Sequence, residues 1–149
     1  MTDKQDRDAV IARLIDWYGN GQDGSAPTKE QWRRTLESLT EGPLTLVNLF
    51  KLREKAQYSD TKEKVSGQEA FDRYASVSVP AMERAGGAFL YLGPFAGTFL
   101  GEDEDWDMVV IGQYPDVSNL LKLFEDPLYR DAFHHRTAAC LRQKVYVGG

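Results

Sequence analysis

PLTLVNLFKL, residues 43–52, is the stretch on which the fold turns. It is a short apolar run with β-branched and aromatic members, and it predicts a strand. Leu44, Leu46, Asn48, Phe50 and Leu52 share one parity; Val47 and Leu49 stand on the other. Neither face carries much that belongs in water, so both need cover.

Working outward toward the C-terminus, the charged, aperiodic REKAQYSDTKEKV (53–65) reads as an exposed loop. SGQEAFDRYASVSVPAMERAGG (66–87) then carries a capping box at Ser66 and Glu69 and a helical face of Phe71, Tyr74 and Met82. Gly86-Gly87 supply its left-handed stop. Pro80 removes the bond to residue 76, which predicts a kink. AFLYLGPFAGTFL (88–100) reads as a strand with a bulge or edge position near Gly93-Pro94. After the acidic turn GEDED, a third strand begins at Trp106-Asp107. Asp116 caps the helix VSNLLKLFE, and Asp126-Pro127 opens a further helix. CLRQKVYV (140–147) is the last strand.

Toward the N-terminus, residues 5–19 place Val10, Leu14, Trp17 and Tyr18 at helical spacing. A second helix, TKEQWRRTLESL, has a capping box at Thr28 and Gln31 and an apolar side of Trp32, Leu36 and Leu39. Residues 1–42 are therefore expected to form a helical N-terminal extension and residues 43–149 an α+β domain. The order strand–helix–strand–strand–helix–strand is the ferredoxin-like split βαβ arrangement, an antiparallel sheet with helices on one face. Cover for its other face is expected from a homodimer in which two sheets meet, from the N-terminal helices, or from both.

With 149 residues, the chain has the length of one domain. A net charge of −5 with scattered basic residues argues against nucleic-acid and anionic-membrane partners. No apolar run approaches the roughly 20 residues of a membrane span, and the polar start is unlike a signal peptide. One cysteine makes neither a disulfide nor a cysteine-based metal site. The expected location is cytoplasmic.

LVNLFKLREKAQY, SGQEAFDRYASVSVPAMERAGG, EDWDMVVIGQYP and EDPLYRDAFHHRTAA occur in this order over roughly residues 43–147. The series resembles the domain of unknown function 1330 family, part of the dimeric α+β barrel superfamily. The resemblance implies a ferredoxin-like fold, pairing of two chains through their sheets, and a pocket between sheet and helices. Relatives in the superfamily include cofactor-free monooxygenases, haem-degrading enzymes, lactone isomerases and plain ligand binders. After HHRTAA the chain departs from the family phrase, continuing CLRQKVYVGG.

DPLYRDAFHHRTAAC (126–140) gathers both histidines, Arg136 and the cysteine. At 100° per residue, Leu128, Ala132, His135 and Ala139 form one helical stripe, and Tyr129, Phe133, Arg136 and Cys140 the next. Adjacent histidines diverge, so the pair is not a metal site. His134 is expected outside. His135 is either a core-edge residue or an acid/base, since histidine titrates near neutrality. Arg136 needs a counter-charge, either Asp107 or the carboxylate of a substrate. Asn48, an amide on an apolar face, either braces a neighbouring strand or orients a ligand. Asp107 is a candidate to orient His135 or pair with Arg136. Tyr74, Tyr129 and Trp106 are candidates to line the pocket, and Cys140 reads as a packing residue.

Two functions remain open. One is a cofactor-free, metal-free enzyme on a small aromatic or carboxylated metabolite. Its catalytic residues would be His135 and Asp107, with Asn48, Tyr74, Trp106, Tyr129 and Arg136 holding the substrate. The other is a non-catalytic ligand-binding or regulatory dimer with the same pocket.

Overall fold

The computed structural model describes residues 4–39, 41–59 and 64–149; the expectations for residues 1–3, 40 and 60–63 lie outside the described residues. The elements are α1 (Lys4–Tyr18), α2 (Lys29–Ser38), β1 (Leu44–Leu52), α3 (Gly67–Arg84), β2 (Ala88–Pro94), β3 (Met108–Tyr114), α4 (Val117–Glu125), α5 (Pro127–Ala139) and β4 (Cys140–Gly148). Both expected capping boxes form. Thr28 and Gln31 close α2, and Ser66 and Glu69 close α3, each pairing two orphan N–H groups reciprocally.

The four strands make one antiparallel sheet in the order β2-β3-β1-β4. The stretch PLTLVNLFKL thus supplies a central strand, with Asn48 opposite Val110 on one side and Val145 on the other. The even-numbered face of β1 turns toward the helices, and its Leu44 and Phe50 are buried. On the other face Val47, Leu49, Val109, Ile111, Tyr91 and Tyr146 stand in register, the four aliphatics half-buried and the two tyrosines exposed.

Several boundaries differ from the sequence reading. The irregularity in β2 falls between Phe89 and Tyr91, and the strand simply ends at Pro94, which has no N–H to continue the ladder. β3 begins at Met108. Asp107 bonds across to β1 through its backbone N–H to Phe50 O, while its carboxylate accepts from Leu52 N at 2.7 Å. The helix α3 runs continuously through Pro80. Gly67 opens it because the Arg53 carbonyl oxygen lies 1.9 Å from where a Cβ would sit.

The N-terminal helices join the same core. Ile11, Leu14, Trp32 and Leu36 are buried in one cluster with the sheet and helix residues. Tyr18 donates to Phe124 O at 2.6 Å and meets the Phe124 and Phe133 rings edge-on. Arg13 pairs with Glu125, and Arg130 lies 4.0 Å over the Trp17 ring. The extension is therefore packed on α4 and α5.

Candidate functional site

Asp126 starts α5 by accepting from Leu128 N at 2.9 Å, with Pro127 in the first turn. From that start the helical repeat turns Tyr129, Phe133, Arg136 and Cys140 inward, all buried. Leu128, on the neighbouring stripe, is 58% exposed and His135 is half-buried. Ala132 and Ala139 of that stripe are buried as well, so the inward wall spans both stripes and leaves out Leu128 and His135.

Between this wall, α3 and the inner face of the sheet lies a cavity of about 420 Å³. Asn48, Phe50, Val110 and Gly112 line it from the sheet, with Tyr74 and Met82 from α3. Gly112 keeps this lining narrow, because a Cβ there would stand 2.6 Å from Met82 Cε. Leu92 on β2 and Val145 and Val147 on β4 line the cavity while remaining exposed, which marks its openings at the two sheet edges.

Arg136 is the charged group at the centre. Its Nε donates to Gln143 Oε1 at 2.7 Å, Nη1 to Tyr74 Oη at 3.1 Å, and Nη2 to Asn48 Oδ1 at 3.5 Å. Its guanidinium also lies 4.8 Å from the Phe50 ring centre and 5.5 Å from that of Tyr74. All of these partners are neutral. Among the described residues no carboxylate pairs with it. Burial works against the charge, but the Tyr74 and Tyr129 phenols and Cys140 outweigh it, so the guanidinium is held protonated even more firmly than usual. A buried cation satisfied only by dipoles is poised for an anion.

The surrounding acids are weak. Tyr74 and Tyr129 share a hydrogen bond of 2.7 Å between their hydroxyls. Burial pushes the Tyr129 and Tyr114 phenols well above the usual tyrosine range. Burial likewise raises the Cys140 thiol to about 11, against the opposing pull of Arg136 and Arg53. Among the described residues, no Asp, Glu, His or Cys lines the cavity. Among the described residues no group of three His, Cys, Asp or Glu side chains gathers to hold a metal ion.

The sequence candidates divide accordingly. Asn48, Tyr74, Tyr129 and Arg136 meet at the cavity. Asn48 braces the neighbouring strand, since Nδ2 donates to Val110 O at 3.0 Å, and its Oδ1 accepts from Arg136 at 3.5 Å. His135 does not reach the cavity; its Nδ1 shares a hydrogen bond of 2.7 Å with Tyr58 Oη. Asp107 is also elsewhere, paired with Lys51 at 3.3 Å beside an open surface hollow of about 720 Å³. It therefore neither orients His135 nor pairs with Arg136. Trp106 is buried under Arg142 and donates to Glu104, away from the cavity. His134 is exposed, with Nδ1 2.8 Å from Asp131 O.

The sequence reading missed Gln143 and the segment Gly21–Thr35, which contributes Ala26, Pro27 and Trp32 to the cavity wall. Gln143 carried a legible signal, an amide on the parity of Val145 and Val147, like Asn48 among its leucines. The contribution of residues 21–35 is a tertiary contact with no local signature.

A family model described as Domain of unknown function (DUF1330) matches residues 56–149. The chain is also similar to two crystal structures of the RPA0582 protein. One is of the methylated protein, and the other is described as a protein of unknown function from Rhodopseudomonas palustris. Both are 36% identical over 83% of this chain, with 91% and 93% of the other chain covered and TM-scores of 0.76 and 0.75. No curated protein matches. α1, α2 and β1 precede the residues that the family model matches.

Proposed function

The chain belongs to the DUF1330 family, and from that premise we propose that it is a non-catalytic binder of a small carboxylate with an apolar body. The observation that carries this reading is the composition of the cavity wall. It is largely apolar and aromatic, it holds one buried arginine with no acidic partner among the described residues, and among those residues it includes no Asp, Glu, His or Cys. An acid/base mechanism needs a donor or acceptor poised near the working pH, and burial displaces the Tyr114 and Tyr129 phenols away from it. An anion clamp needs only a fixed cation and neutral hydrogen-bonding neighbours, which Arg136, Gln143, Asn48 and Tyr74 supply.

Isothermal titration with 4-phenylbutyrate and its amide tests this. The acid is expected to bind and the amide not to bind. Arg136→Gln should weaken the acid by about 30-fold or more, the lower end of the cost of truncating one partner of a buried charge pair. Equal binding of acid and amide, or an undiminished variant, would overturn the reading.

We infer further that this outer sheet face is buried against a second copy of the chain. Val47, Leu49, Val109 and Ile111 form a contiguous apolar patch flanked by Tyr91 and Tyr146, the kind of surface that marks an interaction site. A two-fold contact would oppose each patch to itself. Sedimentation should show a dimer at micromolar concentration and a monomer for Val109→Lys; a monomeric wild type sinks the inference. No helix of the described residues is long and apolar enough to cross a membrane.

A further inference from the structure

The cavity has two unlike ends, and they lie at opposite ends of the sheet. Arg136 sits over Phe50, whose neighbour across β4 is Gln143, near the C-terminal end of β1. Toward the other end of β1 the lining continues through Leu46 and Gly112, an apolar stretch. The α2 segment ends there, since Gly149 lies against Leu39 and Pro43 just before β1 begins. Trp32 of α2 reaches the cavity beside Phe124, their ring centres 5.0 Å apart. A relay of rings separates it from the guanidinium. Phe124 to Tyr129 is 5.4 Å, Tyr129 to Tyr74 is 5.8 Å, and Tyr74 to Arg136 Cζ is 5.5 Å. From Leu46 to Phe50 the strand itself measures about 13 Å at its usual rise of ~3.3 Å per residue.

We propose that the N-terminal extension sets the length of the ligand. The cavity takes an extended monocarboxylate whose head meets Arg136 and whose apolar tail runs along β1 toward Trp32. Ala26, Pro27 and Trp32 form the end wall. This proposal rests on the carboxylate reading above and adds the tail and its ruler.

Two observations support it. Trp32 is 3% exposed and Ala26 and Pro27 beside it are half-buried, so a tail packed against their apolar atoms removes that surface from water. The wall also belongs to a rigid body rather than a loose strap. Thr28 and Gln31 cap α2, and Trp32 and Leu36 lie in the common core. A wall fixed in this way discriminates by length, because one methylene too many must either displace it or withdraw the head from Arg136.

Straight-chain acids from hexanoate to tetradecanoate, titrated calorimetrically, test the proposal. For the wild type, affinity should rise to about ten carbons, matching the span of the strand, and then fall. Ala26→Leu, which thickens the wall, should weaken the longest acids at least tenfold and leave hexanoate within twofold. Trp32→Leu, which thins it, should move the optimum to longer acids; circular dichroism establishes that both variants are folded. An optimum that stays in place in both folded variants, or losses equal at every length, overturns the ruler while leaving the Arg136 clamp intact. If no acid binds the wild type, the clamp and the ruler fall together. Should Trp32→Leu not fold, the Ala26→Leu profile decides alone.

Discussion

Two clusters on α5 invite comparison because their central residues are consecutive in the chain. Arg136 is buried among Tyr74, Gln143, Asn48 and Phe50. His135, one residue earlier, is turned about 100° away and bonded to Tyr58, whose ring lies under Arg73 at 5.8 Å. The His134 ring stands 4.0 Å from that of His135. Chemical versatility favours the histidines, yet the cavity belongs to the arginine. The difference teaches that a helix selects residues by angle, and a step of 100° outweighs reactivity in deciding what reaches a site.

The comparison breaks most sharply one residue further back. Phe133 is buried and meets the rings of Tyr18, Tyr74, Phe124 and Tyr129, so Phe133→Ala should cost about 3 kcal/mol in urea unfolding. His134→Ala, its immediate neighbour on the exposed side, should stay within about 0.5 kcal/mol. Comparable losses from the two would mean that the inward and outward faces are not energetically distinct.

A smaller effect comes from the cap that sets the rotation of the whole helix. Asp126 accepts from Leu128 N and pairs with Arg84 at 2.7 Å, so Asp126→Ala should cost about 1 kcal/mol. Burial raises the Asp126 carboxyl, but the Arg84 hydrogen bond and the Leu128 N–H outweigh it and hold the carboxyl below its ordinary range. With the folded-state value depressed, its stabilisation is complete above the unfolded carboxyl pKa of about 3.9. It disappears as pH falls through the lower folded value. The gap between wild type and Asp126→Ala in thermal melts should accordingly be full at pH 7 and close below about pH 4. A gap that persists undiminished into acid would assign the effect to helix propensity alone.

Much of the fold was legible because its signals are local. The capping boxes at Thr28 and Ser66, the caps at Asp116 and Asp126, and the apolar run of β1 each specify a backbone conformation through neighbours a few residues away. Of the two alternatives at Gly93-Pro94, the edge position holds, since β2 is an edge strand that ends at Pro94; the bulge falls between Phe89 and Tyr91 because it depends on register against β3. The candidate site was legible in part for the same reason. Asn48, Tyr74, Tyr129 and Arg136 announced themselves as polar atoms on apolar faces. His135, Asp107 and Trp106 did so equally, and nothing local distinguished the two groups.

By itself, then, the sequence determined the elements, their order, and which faces of β1 and α5 are apolar, since hydrophobic period and capping act over one or two turns of chain. Only the tertiary structure decided which stripe of α5 faces the sheet. It also gave Arg136 neutral partners in place of Asp107, and it brought residues 21–35 against the far end of the cavity. Those outcomes depend on contacts between residues as distant in the chain as Asn48 and Arg136, and such contacts are set by how whole surfaces pack.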